Sequence, residues 1–158
     1  MAGGECVLPE NISVPLSLID ARDLANFVIA LGERGETGIY NATGMQNGLT
    51  FENFLKCCQK ISNQTTQFVT LSEDFISEQE IKYWEELPLL VPKAVQGIYC
   101  IDDKKAVAKG LEFRTLATSL AETLEWILHS NPNFKIKVGI EREREIDLIS
   151  VWRKLGDA

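Results

Sequence analysis

Gly32, Gly35 and Gly38 repeat the spacing G-x-x-G-x-x-G, a pattern that lets a backbone wrap closely around a pyrophosphate. That chemistry needs the glycines to follow a strand and open a helix, because the anion sits on free N–H groups at a helix amino terminus. Here the order is reversed. An apolar helical repeat ends at these glycines and a β-prone run follows, so an anion would meet the partly negative end of a helix. The three read as helix-ending and turn glycines. Gly44-Met-Gln-Asn-Gly48-Leu-Thr50 is better placed, between a β-prone run and a helix start, and its N–H groups are the physically sensible seat for a phosphorylated ligand. No Lys precedes Thr50, so the nucleoside-triphosphate pattern is missing and a connecting turn is the simpler reading.

Other reactive side chains are sparse. A Cys–His or Ser–His–Asp set would need His129, which falls near the carboxyl end of a predicted helix, where favourable interaction with that helix end explains it. Cys57 and Cys58 are neighbours within a predicted helix and point about 100° apart. With Cys6 and Cys100 distant in sequence, the four thiols suggest no zinc site or disulfide framework, only buried or idle groups in a reducing compartment. Trp84, Glu85, Glu86, Leu87 and Pro88 gather aromatic, acidic and rigid residues in irregular backbone, the composition of a ligand-lining loop or of a core plug under a loop. Arg22, one turn into the first helix, meets either an anionic ligand or, more simply, a neighbouring acid. The candidate substrate-lining residues are therefore Trp84, Glu85, Pro88, Arg22 and Gly44, with no catalytic, cofactor-binding or metal-ligating residue assigned.

The elements that must position them follow from periodicity. Val14 to Ile19 reads as a strand, with Asp20 as N-cap and Asp23 as a first-turn acid before Leu24, Phe27, Val28 and Leu31. Gly38 to Thr43 reads as a short buried strand. Thr50 caps a helix with Phe51, Phe54, Leu55, Cys58 and Ile61 on one face. Gln67 to Leu71 is another strand, and Ser72 starts a shorter helical piece running toward Trp84. Pro88, Pro92 and Gly97 break the next apolar stretch. Asp102 to Gly110 reads as a short helix, and Thr115 or Thr118 caps one carrying Leu116, Leu120, Leu124 and Ile127 until Asn131-Pro132 ends it. Glu141 to Glu145 opens a last helix with Leu148, Val151, Trp152 and Leu155 inward. These elements predict one α/β or α+β-like domain over residues 1–158, with a partial sheet of three or four short strands and about five helices.

The 158 residues are 45% hydrophobic and 25% charged, which suits one soluble domain with a real core. A net charge of −7 with scattered basic residues argues against nucleic acid. The apolar runs are far shorter than the roughly 20 residues of a membrane span, and no leader is visible, so no membrane and a cytoplasmic location are expected.

Ser17-Leu-Ile-Asp20-Ala-Arg-Asp23-Leu-Ala25, Gly38-Ile-Tyr-Asn41-Ala-Thr-Gly44, Leu49-Thr-Phe51 and the run Ile101 to Leu128 stand in an order that resembles the carboxyl-terminal, substrate-binding half of the extended short-chain dehydrogenases/reductases, the NAD-dependent epimerase/dehydratase family. Glu86-Leu-Pro-Leu-Leu90 and the closing helix are similar to a bacterial subgroup. The resemblance implies an NAD(P)-dependent epimerase, dehydratase or reductase as parent, whose Rossmann half would hold the nicotinamide and a Tyr-x-x-x-Lys pair. Tyr40, Tyr83 and Tyr99 are followed four positions on by Gly44, Leu87 and Asp103, so the chain lacks that pair. We expect no cofactor and no turnover for the chain alone. The partners implied are a small-molecule substrate of sugar or nucleotide-sugar type, the missing Rossmann half, or a second copy. Met1 to Pro9 resembles the middle of a longer protein. The alternative is a free-standing interaction or small-molecule-binding module derived from that fold.

Overall fold

The structure, a computed structural model, describes residues 4–44, 48–130 and 138–156. The tip of the glycine loop after Gly44 and the Asn131-Pro132 stop lie outside the described residues. Among the described residues the strands and α-helices follow in order: β1 (Gly4–Pro9), α1 (Ala21–Glu33), α2 (Phe51–Ser62), β2 (Thr66–Leu71), α3 (Glu73–Glu78), α4 (Lys104–Ala108), α5 (Leu116–Glu125) and α6 (Arg142–Gly156). The chain is thus mixed α/β, with, among the described residues, six α-helices and one two-stranded sheet in place of the expected three or four strands.

Helix starts form where side chains satisfy the orphan N–H groups. Asp20, Thr50, Ser72 and Thr115 accept from the backbone N–H of Arg22, Asn53, Phe75 and Thr118. α1 ends in a Schellman turn: Gly35 N–H donates to the Gly32 carbonyl at 3.1 Å and Glu36 N–H to Leu31 at 3.0 Å. Gly35 takes φ +62°, which a side chain would strain. α3 stops at Glu78, short of Trp84, because Glu80 turns left-handed at φ 51° and Ile81 N–H closes onto the Ile76 carbonyl.

β1 pairs with β2 in parallel, Gly4 opposite Thr66 and Pro9 opposite Leu71. No local signal marked β1, whose partner lies far along the chain. Its outer edge is covered by α6: Val7 N–H donates to Glu145 at 3.0 Å, and Arg142 donates to the Glu5 carbonyl at 2.7 Å. Side chains take the place of a further strand there.

Two expected strands are extended segments instead. Val14 and Leu16 are buried, but their backbone serves a helix start. Phe51 N–H donates to the Val14 carbonyl and Glu52 N–H to Ile12, both at 3.0 Å, and a single bridge joins Pro15 to Thr50. Gly38 to Thr43 is not a buried strand, since Ile39 is 88% exposed. Tyr40 and Ala42 turn inward toward Phe27, with the Tyr40 and Phe27 rings edge to face at 5.8 Å. Side chains tether the segment: Lys105 Nζ donates to the Ile39 carbonyl at 2.8 Å, and Asn41 Nδ2 to the Asp102 carbonyl at 3.1 Å.

The main core joins the sheet, the start of α2, α3, the loop after it and α6, through residues such as Leu8, Leu71, Phe75 and Leu148. A smaller cluster joins Phe27, Ala106 and Leu111. On α6 the buried pair is Leu148 and Ile149, with Trp152 against Phe75 at 4.9 Å. Val151 and Leu155, expected inward, are exposed, because α6 rests on β1 and α3 along one narrow stripe. α5 buries none of its residues, so its leucine stripe is only half covered.

Candidate functional site

Two grooves flank the loop from Ile81 to Pro92. Leu87 and Leu90 anchor this loop in the main core. Between the anchors the backbone is forced: Trp84 and Leu89 hold φ 70° and 68°, a region that costs a bulky residue on the order of 1 kcal/mol or more. The loop is thus both core plug and groove wall.

The first groove has a volume of about 860 Å³ and takes Tyr83, Glu85, Glu86 and Pro92 from the loop, Glu73, Ile76 and Ser77 from α3, and Arg144 from α6. Several of its polar groups pair with one another. Tyr83 Oη donates to Glu73 at 2.6 Å, Arg144 Nε meets Glu86 at 2.7 Å, and Lys82 faces Glu85 at 3.5 Å. Burial, reinforced by the Glu73 carboxylate, pushes the Tyr83 phenol well above its ordinary range. Tyr83 is therefore a neutral hydrogen-bond donor, the opposite of a tyrosine activated for proton transfer.

The second groove, about 560 Å³, lies between the start of α1, the face of α2 that carries Phe54, Leu89 and the inner side of α5. Arg22 spans its rim. Its Nε and NH2 donate to Asp20 at 2.9 and 2.7 Å, and its NH1 pairs with Glu122. Asp20 also accepts from Ser119 Oγ at 2.7 Å, and the hydrogen bonds from Arg22 above all hold its carboxyl far below the usual carboxylate range. Behind the rim Asp23 is buried, accepting from Arg114 N at 2.9 Å and Arg114 Nε at 2.7 Å. This clamp joins α1 to the entry of α5. As a pair Asp23 and Arg114 had no sequence signal: Asp23 read as a first-turn acid and as part of the Ser17–Ala25 motif, and no role marked Arg114 within the run Ile101 to Leu128.

The sequence-derived candidates do not converge. Glu85 lines the first groove and Arg22 the second; Trp84 and Pro88 are exposed and line neither. Gly44, at φ 86°, lies near Ser17 and Asp103. The start of α2 is closed as an anion seat, because the N–H groups of Phe51, Glu52 and Asn53 donate to Val14, Ile12 and Thr50. His129 Nδ1 lies 3.1 Å from the Glu125 carbonyl, one turn earlier.

The thiols are reduced and half-buried except for exposed Cys100. Burial pushes Cys6 up to about 12, aided by Glu145, and Cys58 up to about 11. Neither is a nucleophile at neutral pH. Among the described residues, no group of three or more His, Cys, Asp or Glu side chains is arranged to hold a metal ion, and no helix is long and apolar enough to cross a membrane. The geometry supplies grooves with apolar walls and charged groups paired at their rims. No protein-family model, no curated protein and no solved structure matches the chain.

Proposed function

We propose that this chain is the substrate-side portion of an NAD(P)-dependent epimerase, dehydratase or reductase-like protein. It docks against a separate cofactor-binding body, contributes one wall of a small-molecule site and performs no chemistry alone. The observation that carries this reading is the outer face of α1. From Leu24 to Leu31 the helix is apolar on every side except Asn26, the composition of a helix covered all round, yet of these residues only Phe27 is buried. Val28 and Ile29 are 58% and 59% exposed, and Ile39 on the neighbouring strand-like segment is 88% exposed. Exposed apolar surface of this kind marks an interface. The strand-like segment Gly38–Thr43 has the residues of a β-strand and, among the described residues, no strand beside it. A cytoplasmic setting accords with four free thiols.

Antibody capture of the protein from its native cells, with intact-mass measurement and cofactor extraction, tests this. We expect NAD(P) to be recovered with a species heavier than this chain's 17.7 kDa, or with a second polypeptide. A lone 17.7 kDa polypeptide free of nicotinamide cofactor would overturn the reading. The exposure of Ile39 and Val28 also favours a second reading, a stand-alone module that covers this face with another copy of itself. A concentration-independent monomer in light scattering would remove that alternative.

A further inference from the structure

We propose that the groove between α1 and α5 binds a neutral, mainly apolar small molecule with an aromatic or alicyclic body, and rejects phosphorylated ligands. The inference stands apart from the docking reading, because this chain alone lines the groove. Its walls are Ile19, Phe54, Leu89, Leu116, Leu120 and Trp126, and its volume of about 560 Å³ falls within the range of small-molecule sites. α5 buries none of its residues, although its leucines recur at helical spacing, and Leu116 and Leu120 open onto this space. Leu89 is held there against its backbone preference at φ 68°, with Tyr99 Oη donating to its carbonyl at 2.8 Å.

The rim decides the ligand's charge. It carries the carboxylates of Asp20 and Glu122 and one guanidinium, Arg22, whose Nε, NH1 and NH2 each donate to one of those acids. Arg114, behind the rim, is held by Asp23 at 2.7 Å and also reaches the rim acids Asp20 and Glu122 at 3.7 and 3.8 Å. Ser119 Oγ donates to Asp20, and Thr123 Oγ1 donates to the Ser119 carbonyl at 2.7 Å. A phosphate would have to compete with the carboxylates of Asp20, Asp23 and Glu122 for the guanidiniums of Arg22 and Arg114, and a cation would have to displace Arg22 from Asp20 or share Glu122 with it. An uncharged ring needs neither and gains by leaving water.

Calorimetric titration of the whole chain with 1-naphthol and with 1-naphthyl phosphate, which share a ring and differ in charge, tests the proposal. We expect saturable one-to-one binding of the naphthol and at least tenfold weaker binding of the phosphate. Leu120→Glu, or Thr123→Trp to fill the groove should the first variant fail to fold, is expected to weaken naphthol binding at least tenfold. Leu155→Glu, on exposed α6 surface, should leave it unchanged. Absent naphthol binding, equal or tighter phosphate binding, or undiminished binding in a folded groove variant would each overturn the assignment. Loss of self-association in Leu120→Glu without naphthol binding to the parent chain would give the groove to a second copy instead.

Discussion

Asp20 does two jobs that one substitution can separate. Its carboxyl caps α1 through the Arg22 N–H, and its charge binds the Arg22 guanidinium and the Ser119 hydroxyl. Asn caps a helix about as well as Asp, so Asp20→Asn keeps the cap and removes the charge. The native carboxyl is held far below its ordinary value of 3.8, chiefly by hydrogen bonds from Arg22. The unfolded chain therefore takes up this proton first as pH falls. The stabilisation is complete well above pH 4 and is lost progressively as pH drops below it toward the native value. We expect urea midpoints measured from pH 6 down to pH 2 to fall less steeply for Asp20→Asn than for the parent chain. Equal slopes would mean that the charge contributes nothing to stability.

At the scale of elements, the Asp23–Arg114 clamp ties residues 91 positions apart, fixing α1 to the entry of α5. Asp23 is 7% exposed and the Arg114 side chain 22%, so removing one partner strands the other in a poorly hydrated place. Arg114→Met should cost about 3 kcal/mol by leaving a buried carboxylate with only a backbone donor. Asp23→Asn, which still accepts one hydrogen bond, should cost less. Chemical denaturation ranks the two, and the reverse order would make Arg114 a surface residue in energetic terms. The same contrast between near and far explains what the sequence revealed. Asp20, Thr50, Ser72 and Thr115 were legible as caps because each acts within one helical turn. The β-prone run from Val14 to Ile19 was legible as extended, but an extended run does not say what its backbone bonds. A helix start at Phe51 took the place of a strand. β1 and the Asp23–Arg114 pair were invisible because their partners lie far along the chain. The loop from Trp84 to Pro88 was legible as irregular, whereas its division between two grooves depends on where α3, α5 and α6 pack.

For the whole molecule, the outer face of α1 and the neighbouring Ile39 leave large apolar side chains, Val28, Ile29 and Ile39, in water. Phe27, one position away, points into the small core. Substitutions on the two sides of this helix therefore separate interface from core. Phe27→Ala should cost about 3 kcal/mol in any buffer through lost burial and a cavity. Val28→Lys and Ile29→Glu should change the stability of the chain by no more than about 0.5 kcal/mol, because neither side chain is packed. Yet both should raise the protein concentration at which static light scattering first departs from monomer. The net charge of −7 opposes self-association, so added salt should lower that threshold in the parent chain and do so less in the two variants. A loss of stability in Val28→Lys matching that of Phe27→Ala would place the face in the core of this chain and remove the observation on which docking rests.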